Sequence, residues 1–208
     1  MYKTPYFSTG GNEEVIAFMK ENAFATICGV GQDGFPVATQ IPLMLEFREE
    51  KLFLQGHIMR KQSHTNAFEN HQQVLVLFNG PHAYISARHY TPQNTASTWN
   101  YSTVQAKGII SFLDNQALFQ HLNKLTEYFE NNSLSPSLVH HMQDAYVQSN
   151  MMAIEAVEIE VQALEHVFKW SQNKPVETQD TILQTLQQGS LHQQLAAEEM
   201  IRRLKKNK

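Results

Sequence analysis

Val37-Ala38-Thr39-Gln40-Ile41-Pro42-Leu43-Met44-Leu45-Glu46-Phe47 sets Val37, Thr39, Ile41, Leu43, Leu45 and Phe47 against Ala38, Gln40, Pro42, Met44 and Glu46. Successive side chains leave a strand on opposite sides, so a period of two predicts a β-strand with one buried face. Pro42 has no N–H to give a neighbour and marks an edge, a bulge, or a place where something other than a strand approaches. Upstream, Gly31-Gln32-Asp33-Gly34 is a turn signal that joins this strand to the apolar stretch 23–30. Downstream, Arg48-Glu49-Glu50 turns the chain into a strand over 52–57, and a short strand over 74–78 is expected to stop at Asn79-Gly80-Pro81. Residues 82–86 and 103–112 supply further strands, and the alternation of Val157, Ile159 and Val161 with Glu158, Glu160 and Gln162 adds another. A meander of six or more antiparallel strands is the expectation, a barrel rather than alternating βαβ units.

Helices are added around this sheet. Asn12 is read as the cap of a helix that carries Glu13 and Glu14 at its positive end and stops near Asn22. A short helix begins at Ser63, and a longer one after Asp114 carries Leu118, Leu122, Leu125 and Phe129 on one stripe. Ser135-Pro136 is read as the opening of another. Beyond Pro175 the pattern gives two helices, one over 178–188 stopped by Gly189 and one from Ser190 onward. The predicted organisation is a mainly β domain over 1–174 and a C-terminal helical extension over 175–208.

The 208 residues are 42% hydrophobic and carry a formal net charge of -4, so no global positive field draws the chain to nucleic acid or an anionic membrane. The first residues have no apolar run of secretory type and the longest apolar run, 74–78, is too short for a bilayer, so the cytoplasm is the expected location. One cysteine, Cys28, excludes an internal disulfide and is expected in the core. HExxH, GxSxG, GxxxxGK[ST] and GxGxxG are absent, and no metal site is predicted from the histidines. Glu49-Glu50 and Glu198-Glu199 are read as solvated charge. Arg202, Arg203, Lys205, Lys206 and Lys208 are read as complementing a helix dipole, with DNA contact weakly supported.

Two segments carry candidate chemistry. Gly56-His57-Ile58-Met59-Arg60-Lys61-Gln62-Ser63-His64 leaves a strand and enters a helix, and Arg60, Lys61, Ser63 and the free N–H groups of the helix start all suit an anion. From spacing alone it is either a phosphate cradle or a solvated basic turn. The loop predicted over 87–102 ends in Thr98-Trp99-Asn100-Tyr101, where two aromatics around an amide either wall a flat heterocycle or plug one end of the barrel. Gln40 faces opposite to the apolar set and is a candidate edge donor.

The blocks Phe35-Pro36-Val37-Ala38-Thr39-Gln40-Ile41-Pro42-Leu43, Gly56-His57, Val74 through Ser86 with Gly80-Pro81-His82-Ala83-Tyr84-Ile85-Ser86, Thr98-Trp99-Asn100-Tyr101 and Lys169-Trp170-Ser171-Gln172-Asn173-Lys174 occur in this order. Together they resemble the PaiB-type FMN-binding negative transcriptional regulators over nearly the whole chain. The resemblance implies an antiparallel split β-barrel related to pyridoxamine phosphate oxidases, a homodimer, and FMN at the subunit interface. It puts the phosphate on Arg60 and Lys61, with Gln62, Ser63 and His57 beside them, and the flavin ring along Thr39, Gln40, Ile41 and Pro42. Trp99, Asn100 and Gln105 are implied to close the pocket, from the other subunit. Many members carry Asn-Pro-Gln-Trp shortly after the Gly-His pair, where this chain has Arg60-Lys61-Gln62-Ser63-His64. Besides regulation, a flavin-dependent oxidoreductase and a haem-handling split barrel are the alternative functions.

Overall fold

The computed structural model describes residues 4–8, 11–90 and 96–206. Its elements run α1 (Asn12–Glu21), β1 (Phe24–Val30), β2 (Pro36–Pro42), β3 (Met44–Arg48), β4 (Lys51–Met59), α2 (Ser63–Asn70), β5 (Gln73–Ile85), β6 (Thr98–Phe112), α3 (Asn115–Glu130), α4 (Asp144–Met151), β7 (Ile154–Lys169), α5 (Val176–Gln187) and α6 (Leu191–Lys206). The strands form one sheet in the order β2-β1-β5-β6-β7-β4-β3. It is an antiparallel split barrel with helices added, as the sequence predicted. No helix among the described residues is long and apolar enough to cross a membrane.

β2 and β3 lie at opposite edges of the sheet, yet only Leu43 separates them in the chain. The expected single strand over 37–47 is thus two. Its alternation continues through the break, with Ile41 and Leu43 buried, while Phe47 comes out to 54% exposure. Leu43 N–H bonds to Ala23 O at 2.9 Å, and the chain then leaves β1 to pair with β4, Met44 opposite Gln55. A simple meander does not form: β4 pairs with β7, Gly56 opposite Val157, and β5 pairs with β1.

Contacts divide the chain into two compact units, with 23–78 and 105–164 in one, and residues up to 22, 79–104 and from 165 onward in the other. In the first, α2 lies on β1, its Phe68 so close to Gly29 that a Cβ there would stand 2.7 Å from the ring. Leu118 of α3 packs with Val139, Val147 and Met151 against Ala156 of β7. Asp114 caps α3 by accepting from Ala117 N–H at 2.8 Å. In the second unit, Phe18 of α1 faces Phe168 with ring centroids 5.3 Å apart, and fully buried Trp170 donates to Ser102 Oγ at 2.8 Å.

Several local expectations are corrected. Gly11, not Asn12, occupies the cap of α1. β5 does not stop at Asn79-Gly80-Pro81 but runs through it, and its buried set moves from Val74, Val76 and Phe78 to Ala83 and Ile85. The buried side thus changes parity across Asn79-Gly80-Pro81, where Pro81 has no N–H to give a neighbouring strand. Thr98-Trp99-Asn100-Tyr101 belongs to β6, not to a loop, and residues 91–95 of the predicted loop lie outside the described residues. Ser135-Pro136 opens turns rather than a helix, with the Ser135 hydroxyl donating to Glu130 Oε2 at 2.6 Å and accepting from Ser137 N–H at 3.2 Å. Cys28 is half-buried rather than core.

Candidate functional site

The turn from β4 into α2 gathers Arg60, Lys61, Gln62 and Ser63 at the start of a helix. Arg60 N–H donates to Ala153 O at 2.9 Å, which ends the pairing of β4 with β7. Lys61 then takes a left-handed backbone, φ 59. A residue with a Cβ adopts that conformation at a cost of about 1–2 kcal/mol, and glycine would meet it more cheaply. Gln62 is extended at the cap of α2, and no side chain caps the helix. The first N–H groups of α2 therefore lack intrahelical partners and face the residues that precede them. Gln62 Nε2 reaches Arg60 O at 3.3 Å, and Thr65 Oγ1 donates to Met59 O at 2.6 Å, which pins the turn from both sides. Arg60 Nη1 is held 3.0 Å from Glu155 Oε2, leaving other guanidinium donors of its planar fork to a ligand. A cleft of about 340 Å³ opens beside Arg60, lined by Asn115, Gln148, Met151 and Met152.

The same unit brings the end of β2 to this strand. A Cβ on Gly56 would meet Ile41 Cδ1 at 2.7 Å and Pro42 O at 3.2 Å, so the close approach of β2 requires glycine one residue before His57. Ile41 is buried, Thr39 and Pro42 are half-buried and Gln40 is exposed, opposite Thr26 in the pairing with β1. β2 is a sheet edge, which suits a proline at its end. Gln105 is half-buried in β6 of this unit. Trp99 and Asn100 belong to the other unit. Trp99 is 53% exposed and meets the rings of Tyr84 and His82 at centroid distances of 5.9 and 6.0 Å. Asn100 is fully enclosed, its Oδ1 accepting from Ser171 Oγ at 3.1 Å while its Nδ2 has no protein partner.

Two residues lie in surroundings that the sequence reading did not give them. His121 of α3 stands 3.3 Å, Nε2 to Nδ1, from His57. Its position three residues after Leu118 puts it on the buried stripe, a signal that the leucine spacing already held. Burial lowers the pKa of both imidazoles, His121 to about 4 with His57 and Lys124 adding to the effect. Beside them a polar cavity of about 280 Å³ is lined by Gln55, Gln120, Glu158 and Arg48 among others. Glu158 there accepts from Arg48 and, at 2.7 Å, from Gln55 Nε2. No group of three or more His, Cys, Asp or Glu among the described residues could hold a metal ion.

The other is Glu199, which is 4% exposed rather than solvated. It takes Arg203 Nε at 2.7 Å and Ser102 Oγ at 3.1 Å, and it also holds Arg202. Arg202 and Arg203 are further paired with Glu21 and Glu14, and the Arg203 guanidinium lies 3.6 Å from the Phe168 ring centroid. These arginines serve packing of α6, a stronger cause than dipole complementarity. Lys208 lies outside the described residues.

A family model described as "Putative FMN-binding domain" matches residues 1–163. The chain belongs to this FMN-binding family. It is 32% identical over 187 residues to the Bacillus subtilis protein named "Protease synthase and sporulation protein PAI 2", covering 90% of this chain and 89% of that one. Among solved structures, the Mycobacterium tuberculosis protein Rv2991 shares the fold at TM-score 0.57 and 13% identity, over 84% of this chain and 94% of that one. A protein from Mycobacterium smegmatis titled as FAD and heme binding shares it at TM-score 0.56 and 16% identity, over 76% and 71%. The chain is a PaiB-like split-barrel protein whose cofactor is FMN. The residues fit that cofactor: a phosphate monoester needs several charged and N–H donors at once, and the Arg60–Ser63 turn presents them.

Proposed function

We propose that this chain is a cytoplasmic, FMN-binding negative transcriptional regulator that acts as a homodimer. Arg60 and Lys61, with Gln62, Ser63 and the first N–H groups of α2, would hold the flavin phosphate. Thr39, Gln40, Ile41 and Pro42 would line the ring, with His57 beside it, and Trp99, Asn100 and Gln105 would close the pocket from a second copy of the chain. When bound, FMN supplies redox chemistry or a ligand to be sensed. The observation that carries the reading is Lys61, a cation held in a left-handed backbone between a strand exit and an uncapped helix start. The regulatory role is supported by the likeness to the Bacillus subtilis sporulation protein over 90% of the chain. Arg202 and Arg203 are engaged by Glu14, Glu21 and Glu199, so α6 does not offer them to DNA, and the output is assigned to another surface of the flavin-bound dimer.

The test joins binding to regulation. Arg60→Ala/Lys61→Ala should weaken FMN by about tenfold or more, since a hydrogen bond to a charged group contributes about 1.5–3 kcal/mol. In cells, deleting the gene and substituting these two residues should raise the same set of transcripts. Unchanged FMN affinity in the double variant overturns the phosphate assignment. Unchanged transcripts in the deletion strain overturn the regulatory one.

A further inference from the structure

We propose that His57 and His121 form a proton-responsive positioning pair for the cofactor site, one that holds α3 closed on the strand that delivers Arg60. This rests on the reading of the Arg60–Ser63 turn as the flavin phosphate site. The geometry makes α3 a shared wall. Its first turn supplies Asn115 to the cleft beside Arg60, and two turns later His121 meets His57 three residues before Arg60. The two rings meet edge to face, centroids 5.5 Å apart, and His121 is 4% exposed.

The pair works as a neutral joint. One ring donates and the other accepts across 3.3 Å, so a single shared proton suffices. Neither ring has a carboxylate to receive added charge. From β7, Glu158 is taken by Arg48 and Gln55, and from β3, Glu46 lies 3.5 Å from Lys124. The cations nearby are Lys124, one turn along α3, which disfavours a further positive charge on His121, and Arg48 from β3, which lines the same cavity. His121 Nδ1 has no protein partner either. Burial penalises the first extra proton, and the second removes the acceptor and leaves two N–H groups facing each other. Solvent-exposed imidazoles accept protons near 6.5, so acid favours a state in which α3 has moved off β4. FMN bound beside Arg60 favours the closed state, and by linkage its affinity falls as pH falls below that value.

The experiment compares FMN affinity of the full chain at about pH 7 and about pH 5 with that of His57→Gln/His121→Gln, a neutral pair that does not titrate. The second ionisation of the flavin phosphate, near 6, contributes equally to both proteins, so the difference reports on the two imidazoles, and amide exchange without FMN separates their pairing from a direct contact of His57 with the flavin. The wild-type dissociation constant should rise by about tenfold more than that of the variant, which lies within the span between about 4 for the closed His121 and 6.5 for the exposed one. Equal pH dependence overturns the proposal. A second readout is amide exchange of residues 115–130, corrected for its intrinsic pH dependence. Protection should fall on acidification in the wild type and persist in the double variant, and equal loss in both overturns the proposal. Wild-type protein that binds no FMN at either pH overturns the phosphate reading instead, and the exchange experiment still decides whether the pair is proton-responsive.

Discussion

Replacing Glu199 by alanine should be among the most damaging single changes in the unit that contains α6. The carboxylate is 4% exposed and accepts from Arg203, Arg202 and Ser102. Its removal strands the Arg203 guanidinium, itself 7% exposed, with Glu14 as its remaining carboxylate in these pairs. Breaking a buried pair by removing one partner costs about 3–5 kcal/mol, and the retained Glu14 places this case near 3. For a chain of this size that is a fall in Tm of about 6–12 °C. Glu198, its exposed neighbour, is the control, and Glu198→Ala should stay within about 0.5 kcal/mol of wild type. Urea denaturation followed by circular dichroism and a calorimetric scan would measure both. Burial pushes the Glu199 carboxyl up, but Arg203 and Arg202 more than offset this and hold it below its ordinary 4.5. Its stabilisation is therefore present above that value and lost as pH falls through the folded-state value, so the gap between wild type and Glu199→Ala should close in acid. A Glu199→Ala protein as stable as Glu198→Ala would refute the reasoning.

Gly108→Ala should destabilise by about 3 kcal/mol in the same denaturation assay, because its Cβ would stand 2.5 Å from Glu160 O and 2.6 Å from Ile159 Cγ2, and the backbone of β7 must move. Asp114→Ala should cost about 1 kcal/mol, the loss of the cap on Ala117 N–H, with asparagine restoring most of it. Stability should also fall as pH drops from 6.5 toward about 4, since His121 takes a proton readily only once it leaves its buried site. His121→Gln should flatten that slope, as followed by thermal melts across the range.

Much of the fold was legible because local signals and tertiary demands agree. The turn at Gly31–Gly34, the start of α2 at Ser63, the Asp114 cap and the stop at Gly189 all follow from side-chain and backbone preferences that no distant contact overrides. What was hidden was set by partners far along the chain. Leu43 continues the alternation of its neighbours, so nothing local announces that it carries the chain from one sheet edge to the other. Asn79-Gly80-Pro81 carries a strong turn signal, but β5 runs through it, and Gly80 lets the Phe18 ring come within 2.7 Å of where a Cβ would lie. Glu199 looks like any surface acid until Arg203, four residues on, is seen to be buried with it. At the candidate site the basic turn was plain in the sequence. The left-handed Lys61 and the meeting of His57 with His121, 64 residues apart, were not: the first is set by the path from β4 into α2, the second by how β4 and α3 are brought together.

The central claim is that FMN is held through its phosphate at the Arg60–Ser63 turn. The most direct measurement is the affinity of the purified protein for FMN and for riboflavin, which lacks the phosphate, in wild type and in Arg60→Ala/Lys61→Ala. FMN should bind the wild type about a hundredfold tighter than riboflavin, as expected from about 3 kcal/mol of charge-assisted contacts, and the double variant should lose most of that preference. Equal affinity of the wild type for the two flavins would contradict the account.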